Sequence, residues 1–508
     1  MNAPSRWPPR AAILLVVLAA ALPRLPTLFE PLAMDQALFA VIGEGILRGE
    51  RLYVDLWDHK PPAIYLLYAA IRGVSGGASW AVALAGLVAA VATALLLRSL
   101  VAARRGADVG LLAGVLYGLL ANPILLGGFY ATAQAEVFLE ALVAASLVLA
   151  ARGGRSHGFA SGAALGAAAL FKPTALLFAP IVLLARAGPG GANAPSRATS
   201  RRARLGPIGL GLAVPVLFSL AYVAASGTWA AAFEALVTWN LRAARAAAAD
   251  PGGLASISLS LPSILGLLLD GILLLGPFLL FALAGAALSR DRALPLAWLA
   301  AAVVSVLAQG KLYRYQYQPL LAPLVWLSAL GLAETASRLA RPARRAARPV
   351  VVVLALLSLV PYARSVRSYW SAHRVRFPLP AGPAREEMLG TYTWSGTGMR
   401  YDDAARVAAR IQAASAPDDR IYVLGFDPQI YLLARRAPAG RYLAHDHVRA
   451  PGAEERLASD LARRRPRWVV VATDQVASTD FPRITAWIAE NAAPRGTIGR
   501  FALFERTP

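Results

Sequence analysis

The chain contains no cysteine. That excludes disulfides, thiolate nucleophiles and thiolate-bound metal. Its five histidines show no paired spacing, so no resident metal ion is expected. Charge is also scarce. Only 16% of the 508 residues are Asp, Glu, Lys or Arg, where a soluble globular chain carries roughly 25%. With 57% hydrophobic residues and a mean hydropathy of +0.51, that deficit makes lipid the solvent for much of the chain. The net charge of +22 comes mostly from arginine in short loops between apolar runs. This pattern signals topology and contact with anionic lipid, not nucleic acid. Lysine is almost missing: among 51 basic residues only Lys60, Lys172 and Lys311 are lysine.

Apolar runs of bilayer-crossing length recur through the first 363 residues. We read about eleven spans, at 11–28, 79–101, 108–128, 134–151, 158–171, 173–187, 206–225, 262–288, 294–309, 317–337 and 349–363. The first is taken as a span and not a signal peptide, because no small-residue cleavage site is clear and many spans follow. Arg6/Arg10, Arg98/Arg104/Arg105, Arg152/Arg155, Arg197/Arg201/Arg202/Arg204, Arg290/Arg292 and Arg341/Arg344/Arg345/Arg348 then fall on one side. The positive-inside rule makes that side cytoplasmic, with the N-terminus inside and the C-terminal segment outside an inner (plasma) membrane. Pro61–Gly76 is apolar but short. Counting it as a span would invert every later loop, so it is expected to lie in the interface.

The expected fold class is therefore an all-α polytopic membrane domain over 1–363, with a small C-terminal α/β domain outside. Residues 29–78 form one outer loop, 187–205 a flexible cytoplasmic linker rich in Gly, Pro, Ser and Arg, and 364–389 a second linker. Over 390–508 the pattern predicts helices at Asp402–Ala414 and Ala453–Arg465 and strands at Arg420–Gly425, Arg467–Ala472 and Gly499–Glu505. No phosphate-binding glycine pattern opens those helices, and no chemistry is assigned there.

Candidate chemistry lies in the outer segments. Asp35 starts an amphipathic run whose stripe of Leu38, Phe39, Val41, Ile42, Ile46 and Leu47 suits an interfacial helix. Asp35 either caps that helix or reacts. Glu136 begins a span and Glu140 follows one turn later. A carboxylate in a span is costly and marks either function or an interhelical pair; Asp270 is a weaker example. The three lysines all fall at outer ends of spans. A compact ammonium there suits a phosphate oxygen, or else snorkels to the interface. The stretch Gly310 to Pro319 mixes Lys311 and Arg314 with Tyr313, Tyr315 and Gln316, a lining suited to a sugar phosphate.

In order and topology these residues resemble the GT-C membrane glycosyltransferases. The branch is that of the protein O-mannosyltransferases, the lipid A aminoarabinose transferase ArnT and the RgtA/B/C/D-type bacterial proteins. The matching features are Asp35, Asp58-His59-Lys60-Pro61-Pro62, Glu136, Lys172-Pro173 and Lys311 to Pro319. The resemblance covers about residues 11–340 and implies a GT-C fold. It also implies inverting sugar transfer from a polyprenyl-phosphate donor to an envelope acceptor outside the membrane, with no cofactor and no metal. By position Asp35 stands as general base, Lys60 as donor-phosphate ligand and Glu136 as second carboxylate. Lys172, Lys311 and Arg314 stand as further phosphate ligands, and Asp58, His59, Tyr313, Tyr315 and Gln316 as substrate-lining residues. Tyr315-Gln316 replaces the His-Tyr pair of many bacterial relatives. The competing readings are a transporter or flippase for lipid-linked sugars and a non-catalytic scaffold. The lack of an inverted repeat favours the enzyme.

Overall fold

The computed structural model of the chain describes residues 7–121, 131–187, 201–242, 278–309, 313–339 and 400–507 except 478, with a few isolated positions besides. Asp270, Lys311 and most of the expected segments 262–288, 349–363 and 364–389 lie outside the described residues, as do 188–200 of the expected cytoplasmic linker. The structure is mainly helical, with one small sheet near the C-terminus. Among the described residues four helical runs are long and apolar enough to cross a membrane: Pro9–Phe29, Ser79–Arg105, Leu205–Ala225 and Arg314–Leu339. Shorter apolar helices accompany them, and large apolar side chains such as Phe218 (71% exposed) and Leu283 (65%) face outward. Such a surface belongs in lipid, and the chain is a membrane protein.

The chain forms two compact units. The first comprises residues 1–28, 83–221 and 242–371, and the second 29–82, 222–241 and 372–508. In the first, the described helices are α1 (Pro9–Ala21), most of α4 (Ser79–Arg105), α5 (Ala107–Leu120), α6 (Ala135–Arg152), α7 (Arg155–Ala169), α8 (Ala179–Ala187), most of α9 (Arg201–Ala225), α11 (Phe278–Leu288), α12 (Ala293–Leu307) and α13 (Gln318–Leu339). Lipid offers helices no hydrophobic drive to associate, so close backbone approach and interhelical hydrogen bonds must hold them together. Ser146 on α6 and Ser161 on α7 supply the second, each hydroxyl donating to the other's carbonyl oxygen at 2.8 Å.

Glycines supply the first. A Cβ on Gly162 of α7 would lie 1.9 Å from the Ile208 carbonyl oxygen of α9, and one on Gly211 of α9 would lie 1.9 Å from that of Phe159. Gly162→Val should therefore destabilise the first unit by about 1–3 kcal/mol through overpacking. Gly209→Ala, on α9 but with open space around its Cβ, should not. Thermal unfolding of the two variants in detergent checks this: equal midpoints would show that the two helices do not need their close contact.

α13 gives the first unit its scale. Its 22 residues span about 33 Å, close to the hydrocarbon thickness of roughly 30 Å. Near its C-terminal end Glu334 pairs with Arg105 at 2.5 Å, and Arg105 also reaches Asp291 at 3.2 Å. Near its N-terminal end Gln318 donates to Glu140 Oε2 at 2.6 Å. Arg105, at the end of α4, and the carboxylate-bearing start of α6 thus sit at opposite ends of one membrane-length helix.

The second unit contains α2 (Met34–Leu47), α3 (Ala63–Val74), α10 (Trp229–Phe233) and the C-terminal elements. α3 has 12 residues and a length of about 18 Å, too short to cross a bilayer. Most of the apolar stripe of α2 meets protein where the sequence suggested lipid, while Leu47 at its end stays 55% exposed. Leu38, Phe39, Val41 and Ile42 are buried, and a Cβ on Gly43 would lie 2.7 Å from the Ala69 nitrogen of α3. An amphipathic stripe fits either partner, so its pattern could not distinguish them. Arg72 and Glu44 close the α2–α3 pair with a salt bridge.

Beyond residue 400 the elements are α14 (Tyr401–Ala413), β1 (Ile421–Leu424), α15 (Gln429–Ala434), α16 (His445–Val448), α17 (Ala453–Arg464), β2 (Trp468–Ala472), α18 (Pro482–Asn491), β3 (Ala492–Ile498) and β4 (Phe501–Arg506). The sheet order is β1-β2-β4-β3, with β1 and β2 parallel and the other pairs antiparallel. Parallel strands need a crossover, and α15 to α17 provide it. Just after β1, burial pushes the Asp427 carboxyl up to about 6 against the pull of Arg500, whose guanidinium lies 2.5 Å away.

Candidate functional site

Two clusters hold the described candidate residues, one in each unit. In the second unit, Asp35 stands second in α2, after Met34, whose φ of +51° is strained for a residue with a side chain. The N-cap is Ala33, and no side chain caps the helix. One turn on, Phe39 shares the face of Asp35. Its ring meets Tyr65 and Tyr68 edge-on, with centroids 5.8 and 5.5 Å apart, and the Lys60 ammonium lies 4.8 Å from its centroid. Asp35 and Lys60 therefore border one patch, on α2 and on the loop before α3.

The backbone of that loop is pinned. The Tyr53 hydroxyl donates to the Lys60 carbonyl at 2.9 Å, and the Asn240 amide donates to that of His59 at 3.1 Å. Asp58 is fully buried. Its Oδ2 accepts from the Tyr65 hydroxyl at 2.6 Å and lies 3.7 Å from Lys60 Nζ. Its Oδ1 lies 2.9 Å from His59 Nδ1 and 3.6 Å from His447 Nε2. Burial alone would raise the Asp58 carboxyl. Lys60, His59 and His447 outweigh it and hold the group well below the usual carboxylate range. Asp58 thus acts as an anion that organises the loop.

Around it, Trp239 stacks on His59 with centroids 4.2 Å apart, and Trp57 meets His447 edge-on at 4.8 Å. Trp57 is held in turn by Glu234, which accepts its indole N–H at 3.1 Å. His447, Trp239 and Asn240 carry no signal in the sequence, because they approach Asp58 and His59 only through the fold. The motif Asp58-His59-Lys60 itself was the readable part.

In the first unit, Glu136 opens α6 and is buried. Lys172, just past α7, pairs with Glu136 Oε1 and donates to Gln309 Oε1 at 2.5 Å, and its ammonium lies 5.9 Å from the Tyr315 ring centroid. Glu136 Oε2 is buried without a hydrogen-bond partner among the described residues. A buried open acceptor calls for a ligand or water.

Glu140, one turn deeper, is fully engaged: it accepts from Tyr117 at 2.5 Å, Gln318 at 2.6 Å and the Ala322 N–H at 3.2 Å. Its interhelical reading holds, since it ties α5 and α13 to α6. The Gln316 side-chain oxygen accepts the Tyr313 N–H at 3.1 Å, so this residue shapes its own 3₁₀ turn. Tyr313 and Tyr315 stack at 5.8 Å, and Arg314 is exposed.

No protein-family model matches the chain, and no curated protein does. Solved structures do. ArnT from Cupriavidus metallidurans bound to undecaprenyl phosphate is 14% identical, with a TM-score of 0.60 over 98% of both chains. The apo form of that protein matches equally, with 14% identity and a TM-score of 0.60. The Archaeoglobus fulgidus oligosaccharyltransferase in complex with zinc and sulfate is 17% identical, with a TM-score of 0.51 over 98% of this chain and 72% of that one. The likeness runs through the helices and the C-terminal segment alike, and it gives the chain the fold of the GT-C membrane glycosyltransferases.

Proposed function

We propose that the chain is a glycosyltransferase that moves a sugar from a polyprenyl-phosphate carrier to a hydroxyl acceptor on the extracytoplasmic face. The acceptor would be an envelope glycan, lipid or protein. The observation that carries this reading is the fold, shared along almost the whole of both chains with a protein whose structure holds undecaprenyl phosphate. The placement of charge supports the face. Glu136 and Lys172 lie at one end of the membrane-length α13, and the Arg105 cluster lies at the other. With the arginines inside, the lysine end faces out. About eleven spans, a cytoplasmic N-terminus and an outer C-terminal domain complete this topology.

In the reaction, Asp35 accepts the proton of the acceptor hydroxyl as its oxygen attacks the anomeric carbon. The bond from that carbon to the phosphate oxygen breaks on the opposite face, which inverts the centre. The electron pair leaves with the polyprenyl phosphate, and Lys60 stabilises the charge that develops there. Glu136 is the second carboxylate, with one buried oxygen open to a hydrogen bond from a substrate hydroxyl. Lys172, Lys311 and Arg314 are further candidates for the phosphate. No cofactor takes part in these steps.

Mass spectrometry of envelope lipids, glycans and glycoproteins from a strain lacking the gene tests the proposal. One sugar should vanish from one class of acceptor, and the lipid-linked form of that sugar should accumulate. A profile identical to the parent's would overturn it.

A further inference from the structure

The geometry around Asp58 points to a binding site for a divalent transition-metal ion of the zinc type, formed by Asp58, His59 and His447. One ligand atom from each of the three lies within 4.8 Å of the others. Ligands sharing one zinc ion at about 2.0–2.1 Å in tetrahedral geometry are separated by roughly 3.3 Å. Two separations on Asp58 Oδ1 bracket that value: 2.9 Å to His59 Nδ1 and 3.6 Å to His447 Nε2. Small rotations of the two rings would close the set. Two imidazoles and one carboxylate suit zinc, or copper, nickel and iron, over magnesium and calcium, which prefer all-oxygen shells. Three protein ligands leave one coordination position for water or another oxygen ligand.

The surroundings have the form of a metal site. The second oxygen of Asp58 is held by the Tyr65 hydroxyl at 2.6 Å, the kind of outer partner that fixes a carboxylate ligand. Each imidazole is braced by an indole, His59 by Trp239 and His447 by Trp57. The ligands come from two distant stretches of the second unit, the loop before α3 and the short helix α16. Those stretches are already joined where the Trp57 backbone N–H donates to the Arg441 carbonyl at 2.9 Å and where Arg464 pairs with Asp55 at 3.0 Å. An ion would add a further and stronger link between the Lys60 loop and the C-terminal segment. It would also replace Lys60 as the charge that compensates Asp58, leaving the ammonium over Phe39 for an external anion. The site does not depend on the sugar-transfer reading.

The test uses the full chain, freed of any histidine tag and purified in detergent. The protein is equilibrated with zinc chloride, dialysed, and analysed for metal by inductively coupled plasma mass spectrometry. The expected result is about one zinc per chain. Asp58→Asn, His59→Gln and His447→Gln should each abolish retention, while His445→Gln, next to the site but outside it, should keep it. Should the ligand variants misfold, two measurements still decide. Cobalt(II) added to the parent protein should give the intense visible bands of a four-coordinate ion. Tyr65→Phe should weaken zinc binding about 10–100-fold through loss of the outer hydrogen bond. Folded parent protein that retains no zinc and gives only octahedral cobalt bands would overturn the inference, as would zinc retained equally by all three ligand variants.

Discussion

Asp35→Asn should lower sugar transfer by about 10²–10⁴-fold, the usual contribution of a general base, while leaving polyprenyl-phosphate binding and folding intact. The amide is isosteric but cannot take the acceptor's proton. The sequence left a second role open, since an acid at a helix start can simply cap it. The structure weakens that role: the N-cap is Ala33, and Asp35 stands one position inside the helix. Its charge near the helix N-terminus is worth roughly 0.3–1 kcal/mol to stability. A large loss of activity beside a nearly unchanged thermal midpoint would therefore assign Asp35 to chemistry. The strained Met34 beside it has the same sense, because a left-handed backbone at a bulky residue costs roughly 1–3 kcal/mol and persists where surrounding structure enforces it. The assay is transfer from a defined polyprenyl-phosphate sugar in proteoliposomes, with carrier binding measured in parallel. A transporter needs no base, so full activity of Asp35→Asn would favour that reading and sink the mechanism.

Much of this was legible in the chain before folding. Lipid as solvent followed from the missing charge. The lysines stood out because arginine was used everywhere else. In the C-terminal segment the strand expected at Arg467–Ala472 forms over Trp468–Ala472, and the helix expected at Ala453–Arg465 forms over Ala453–Arg464. Alternation and helical periodicity set those elements locally.

The misses have local causes too. β3 carries Pro494 and Gly496 in its interior and faces solvent through most of its length, so it lacks both strand propensity and an apolar face. It is an edge strand with a register shift between Pro494 and Thr497, the place where such residues are tolerated. The partner of α2 was hidden because an apolar stripe is the same whether lipid or α3 covers it. The Asp58 cluster was hidden more deeply. The absence of paired histidine spacing is informative only for ligands on one element, and His447 reaches Asp58 from a helix in a different part of the chain.

Lys60→Ala should reduce kcat/KM for the lipid-linked donor by about 10²–10³-fold, the size of effect seen when one group stabilising a developing anion is removed. Unlike Asp35→Asn, it should also weaken binding of the free polyprenyl phosphate, because a phosphate carries charge in the ground state as well as in the transition state. Lys60→Gln separates this from packing. The glutamine keeps much of the stem over Phe39 and loses only the charge, so it should bind the carrier as poorly as alanine while holding the loop better. Lys60→Arg should recover little. The ammonium is a compact point charge in a narrow space, 4.8 Å from the Phe39 ring centroid and 3.7 Å from Asp58 Oδ2. A planar guanidinium offers a different donor geometry and in that position would reach a bidentate contact with Asp58 more readily than an external phosphate. Binding of undecaprenyl phosphate to the three variants, followed by native mass spectrometry and set beside transfer rates, gives the comparison. If Lys60→Ala and the parent protein bind the carrier equally, the phosphate is held by other cations, and the role assigned to this loop passes to Lys172, Lys311 or Arg314.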